Sequence, residues 1–228
     1  MHMLPRAVAA VLLVSLLAVP AAASAPGDDG ARAEFLETRL DDRRDRIVLW
    51  QDGWTGVYGA ALAFHGVRAV TNSDTDDQVA NGVSALRALT AITLMRIRPH
   101  PGRYGADPMR AAGPPGSSAR VEAGEAALAA SARRAARART VRRHLANVGA
   151  NLVFGGMILA FGDPDDALVS TLLGIAGGEA VLLTSPQGPV ADETAYRSRF
   201  GHARRTMQWE WSPWIGAPGS GIVVRARF

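Results

Sequence analysis

The sequence predicts a mainly α protein: a helical bundle of about four longer helices, arranged as two helical hairpins, with a small C-terminal β-hairpin packed on it. Three observations lead there. Apolar residues recur at three-, four- and seven-residue spacings, as in Leu36, Leu40, Ile47, Trp50 and Trp54. Two apolar runs, His144 to Gly162 and Ala167 to Ser185, face each other across the acidic turn Asp163–Asp166. Beyond residue 206 the period falls to two, with Met207, Trp209 and Trp211 followed after a turn by Ile222, Val224 and Ala226. The expected organisation is residues 1–23 as a signal peptide, 24–205 as the bundle with a Pro/Gly-rich linker at 99–118, and 206–228 as the hairpin.

The N-terminal segment motivates the export reading. Met1 to Arg6 carries one formal positive charge, Ala7 to Val19 is apolar, and small residues follow. Ala21-Ala22-Ala23 fits the small-residue cleavage pattern, and cutting there avoids Pro26 at the first mature position. The expected location is the periplasm or cell envelope. The chain has no cysteine, which excludes disulfides, thiolate metal sites and cysteine nucleophiles. All 25 basic residues are arginine.

The first helix spans the charged stretch before Gly53, and Gly53, Gly56, Gly59 and Ala60 then offer a smooth surface for a neighbouring helix. Asn72, Asp74 and Asp76 imitate half a calcium loop, but Asp77 and Val83 stand where that loop needs Gly and Glu. A second helix, Val79 to Ile97, turns Val83, Leu86, Leu89, Thr90, Ile92 and Thr93 inward, and Pro99 and Pro101 stop it. Ser117 or Ser118 caps the next helix, which continues through Arg133–Arg143. That arginine run has no aromatic interleaving and matches no nucleic-acid motif, so an anionic membrane surface is the partner it suits.

One polar constellation stands out. His144, Asn147 and Asn151 share a face of the first hairpin arm, and Glu179 lies level with them on the second. Counting from the two acidic turns puts Arg87 at a similar height, which predicts a Glu179–Arg87 contact supported by Asn147 and Asn151. Buried charge must be paired, so this network fixes helix register at the least. Trp209, Trp211 and Trp214 form a second candidate, a binding surface on the hairpin. Catalytic residues, metal ligands and cofactors are not predicted: the five histidines lack ligand spacing, and no serine lies in a nucleophile-elbow context.

Two functional expectations follow. The first is an exported envelope protein with a binding or structural role and no identifiable reaction. The second is a small multi-spanning membrane protein, of transport or channel accessory type, with a polar interior around Glu179 and Arg87. Charge topology favours the first. With an exported N-terminus, four spans would put the arginine-rich stretch outside and the acidic turns inside.

Overall fold

The computed structural model describes residues 28–201 and the segments 208–216 and 219–227. The first helix, α1 (Asp28–Thr71), is continuous for 44 residues. Then come α2 (Thr75–Ile97), a 3-10 turn (Pro101–Tyr104), α3 (Asp107–Ala112), α4 (Ser118–Ala138), α5 (Val141–Phe161), α6 (Pro164–Thr184) and α7 (Gly188–Phe200). Local chemistry sets the boundaries. Asp74 caps α2 by accepting from the backbone N–H groups of Asp76 and Asp77, and Asp163 caps α6 through Asp165 and Asp166. Proline opens the first turn of the 3-10 helix, α3, α6 and α7, where its missing N–H costs nothing.

Mainly α is supported, but the expected composition of the fold needs correction. Six helices of thirteen residues or more carry it, not about four. A C-terminal β-hairpin packed on the bundle is not supported. Among the described residues, β1 (Gln208–Gly216) and β2 (Gly219–Arg227) are antiparallel partners of each other, and the fold is carried by the helices alone. A lone two-stranded hairpin supplies no core of its own. The signal peptide expected at residues 1–23 lies outside the described residues.

The helices sort into two halves. In the first, the N-terminal part of α1 packs with α4, α7 and the 3-10 turn, and α3 packs on α4. Its core is conventional: Leu36, Leu40, Met109, Val121 and Leu128 are buried, and Phe35, Tyr196 and Phe200 stack beside them. The presumed linker belongs to this core. His100, Gly102, Ala106 and Met109 are all buried, because the prolines start short helices there instead of ending structure. Gly105, at φ 54°, supplies the left-handed turn between them.

In the second half the rest of α1 pairs with α2, and α5 pairs with α6. Both turns lie at one end, since a Cβ at Gly162 would sit 3.3 Å from the Asp76 carbonyl and from Val79. Here the expected inward face of α2 is reversed. Asn81, Ser84 and Ala88 are buried, whereas Leu86, Leu89, Thr90 and Thr93 are exposed and Val83 and Ile92 are half-buried. Among the described residues the smooth face at Gly53, Gly56 and Gly59 receives no neighbour, whereas close approach occurs at Gly155, Gly174 and Gly178.

Candidate functional site

The four helices of the second half enclose a cavity of about 570 Å³. Its walls are polar where they meet. Asn147 and Asn151 lie one turn apart on α5 and face Gly174 and Gly178, one turn apart on α6. Glycine is required there: a Cβ at Gly178 would collide with the Asn147 amide, and one at Gly174 with Asn151 and Arg87. The space lets Asn147 Nδ2 donate to the Ile175 carbonyl at 3.0 Å and to Glu179 Oε1 at 2.9 Å. The other Glu179 oxygen meets His144 Nδ1 at 2.5 Å. Asn151 Nδ2 donates to the Asn147 carbonyl at 2.9 Å and to its side-chain oxygen at 3.0 Å.

The structure therefore brings His144, Asn147, Asn151 and Glu179 into one network and leaves Arg87 out of direct contact with the carboxylate. Arg87 Nη1 donates instead to the Ser170 carbonyl at 2.7 Å. The reason is register. Arg87 approaches α6 at Gly174, five residues before Glu179, which is about 7.5 Å along the axis. Among the described residues no carboxylate pairs with Arg87. Asn151 is 6% exposed, and among the described residues its side-chain oxygen has no hydrogen-bond partner while sharing the gap beside Gly174 with the guanidinium.

Two more polar pairs line the same space and were not foreseen. Ser84 Oγ lies 3.2 Å from Ser170 Oγ, and His65 Nδ1 lies 2.9 Å from Asn81 Oδ1. Their signal was present: Asn81, Ser84 and Arg87 recur every three residues along α2. The louder leucine pattern on the opposite face drew the reading away from them. The side chains of Trp209, Trp211 and Trp214 lie outside the described residues.

Outside the cavity the picture inverts again. Val67, Val70, Leu86, Leu89, Leu152, Leu159 and Leu172 are all exposed on the outer surfaces of α1, α2, α5 and α6. Two helical segments, Val141–Phe161 and Pro164–Phe200, are long and apolar enough to cross a membrane. The apolar windows within them are only 17% and 6% buried, whereas the core helix of a water-soluble protein is mostly buried.

The buried charges Arg32 and Asp192 in the core of the first half are paired. Arg32 Nε donates to the Tyr196 hydroxyl at 3.0 Å, that hydroxyl donates to Glu125 at 2.6 Å, and Arg32 also pairs with Glu125. Burial first, then the Glu125 carboxylate, hold the Tyr196 hydroxyl protonated well above its ordinary range. Arg43 is bound by Asp192 at 2.7 Å, which raises its pKa against the opposing effect of burial. These pairs staple helices together and open on no large cavity.

No protein family model matches the sequence, and no curated protein and no solved structure resembles it.

Proposed function

We propose that the second half is a membrane-embedded four-helix bundle, and that its polar interior binds a small polar or anionic solute, as in a transport or channel accessory protein. One observation carries the proposal: leucine and valine side chains are exposed on all four helices around a cavity whose lining includes Asn, Ser, His and Arg side chains. In water such a surface would be a very large exposed apolar patch. In a bilayer it is the expected lipid-facing surface, and ionisable residues turn to the bundle interior. The 21-residue helices α5 and α6 span about 31 Å each, close to the hydrocarbon thickness.

Arg87 is the residue to which an anionic solute would bind. Its guanidinium keeps donors to spare after one hydrogen bond, and the Ser84 and Ser170 hydroxyls sit beside it. The charge of the two ends supports an orientation. Six aspartates, Asp74, Asp76, Asp77, Asp163, Asp165 and Asp166, mark the turn end, and arginines from Arg96 to Arg143 mark the other. The positive-inside rule sets the arginine end, and with it the whole conventional half, on the cytoplasmic side. The acidic turns then face outward.

Fractionation tests this reading directly. The full chain should stay with membranes through high-salt and carbonate washes and be released by detergent. Recovery in the carbonate supernatant would remove the proposal and restore a soluble or peripheral envelope protein.

A further inference from the structure

Where the two halves join, a smaller cavity of about 90 Å³ is lined by Arg98, Arg134 and Arg143, and by His100 beneath them. None of its lining residues is a carboxylate. Among the described residues none of these three arginines has an ion-pair partner, although the same region pairs many others, including Arg96 and Arg103 with Asp52. Three guanidinium groups gathered without a counter-charge repel one another, and among the described residues no carboxylate offsets that cost. The clash is visible in Arg134: burial, then Arg143, Arg98 and Arg137, press its pKa downward. The first turn of α5 adds to the positive field. It carries Arg142 and Arg143 and no acidic residue, against the usual preference at a helix N-terminus.

His100 supplies the second, independent sign. It is 2% exposed, and its Nδ1 accepts the Gly102 N–H at 3.1 Å, capping the 3-10 turn. That bond places the imidazole proton on Nε2. Yet Nε2 is buried without a hydrogen-bond partner among the described residues, although buried donors are nearly always satisfied. His100 is held in place from both sides, its own N–H donating to Gln51 Oε1 at 3.0 Å, and Gln51 is anchored in turn on the Met95 carbonyl at 2.9 Å. The donor is thus fixed rather than free to find another acceptor.

We infer that this junction is a phosphate-binding site, in which Arg98, Arg134 and Arg143 bind a phosphate oxyanion and His100 Nε2–H donates to one of its oxygens. Guanidinium groups match phosphate oxygens in geometry as well as charge, and a buried neutral donor adds a directed bond. The volume suits the ligand, since a single water needs roughly 10–15 Å³ by the same measure. The phosphate can come from a free inorganic or soluble ester or from an anionic lipid headgroup. Trp50, Met95 and Leu182 on the cavity wall leave an apolar exit for an acyl chain. The site stands whether or not the bundle crosses a membrane, because fractionation and phosphate binding depend on different residues.

Calorimetric titration of the purified full chain tests it with three probes: inorganic phosphate, dihexanoyl phosphatidylglycerol, and dihexanoyl phosphatidylcholine as the zwitterionic control. Saturable binding of either anion, not matched by the control, is expected. Arg134→Gln and Arg143→Gln should each weaken it by about tenfold, as loss of a hydrogen bond to a charged group does. Arg133→Gln, exposed and outside the cavity, should leave it unchanged. Binding of inorganic phosphate alone assigns a soluble oxyanion, and binding of phosphatidylglycerol alone assigns a lipid headgroup. In the wild-type chain the His100 Nε2–H proton resonance should shift on saturation, a readout that needs no variant to fold. Absence of saturable binding by both anions, or equal loss with Arg133→Gln, would overturn the assignment.

Discussion

Along α1, Leu36, Leu40 and Ile47 are buried to 0%, 3% and 1% exposure, whereas Val57, Phe64, Val67 and Val70 farther along the same helix are exposed. The change falls at Gln51, buried and bonded to the Met95 carbonyl, beside Trp50 and Trp54, whose indole N–H groups reach Thr184 Oγ1 at 3.2 Å and 3.0 Å. One continuous helix therefore obeys two opposite burial rules. The first half hides leucine and shows charge, and the second hides asparagine, serine and arginine and shows leucine. On the proposed reading the solvent differs, not the backbone. Tryptophans at the crossing point suit an interfacial belt, where an apolar ring and a polar N–H are both satisfied.

The sharpest way to break this contrast is to make paired substitutions across it. Leu36→Ala removes a fully buried side chain beside Met109 and Gly124, and should cost about 2–5 kcal/mol of stability in the first half, read from thermal melts in detergent. Leu172→Arg replaces a side chain that is 58% exposed. On a water-facing surface that change stays within about 0.5 kcal/mol. On a lipid-facing helix it costs about 2.5–3.5 kcal/mol of insertion, so a glycosylation-reporter insertion assay should show α6 failing to integrate. Normal behaviour of Leu172→Arg would abolish the contrast between the halves.

How far the sequence discloses this arrangement depends on which property is read. Helix existence is legible almost throughout, because caps at Asp74, Ser117 and Asp163 and prolines at helix starts are local signals. The α5–α6 polar network is legible too, since His144, Asn147 and Asn151 share a face that Glu179 must meet across the hairpin. What periodicity cannot give is the sign of a face. The leucines of α2 mark a coherent stripe at helical spacing, and the same stripe serves a core in water or a surface in lipid. Assigning it inward hid Asn81 and Ser84. The Arg87 register failed for a related reason, because turn-to-turn counting fixes height only within a turn or two and says nothing of which carbonyl a long side chain finds. Residues 99–118 read as linker because Pro and Gly are breakers inside a helix, whereas Pro101 and Pro108 begin the short helices that bury His100 and Met109.

A pH titration sharpens the contrast at the junction. Burial first, then Arg134, lower the His100 pKa from 6.5 to about 4. The folded state thus holds His100 neutral, whereas the unfolded chain takes up a proton as pH falls through 6.5. Stability is fully present above that value and declines as pH falls toward about 4, where the folded state begins to protonate as well. The total is on the order of 3 kcal/mol. Carboxylates such as Glu37, held low by Arg120 and Arg110, lose their contribution only below about 4.5. Most of the His100 contribution is therefore lost between 6.5 and 4.5, above the range in which Glu37 loses its own. Thermal midpoints should fall between those two values in the wild type and stay nearly flat in His100→Asn, which can keep the cap on Gly102. An equal slope in the variant would refute a neutral buried His100.

The smallest expected effect concerns the polar network of the conventional half. Tyr196→Phe deletes a hydroxyl that accepts from Arg32 and donates to Glu125, yet Arg32 keeps Glu125 and Asp29 as partners, and Glu125 keeps Arg32. Neither ion is left alone by the change, so the cost should be about 1 kcal/mol, the net value of an ordinary hydrogen bond, and not the larger penalty of a stranded charge. The ring itself still packs between Phe35 and Phe200. Urea unfolding followed by far-ultraviolet circular dichroism would resolve this against the larger loss expected for Leu36→Ala. If Tyr196→Phe proved as costly as Leu36→Ala, the first half would depend on its polar network as heavily as on its leucines. Its resemblance to an ordinary water-soluble core, on which the contrast with the bundle rests, would then be only superficial.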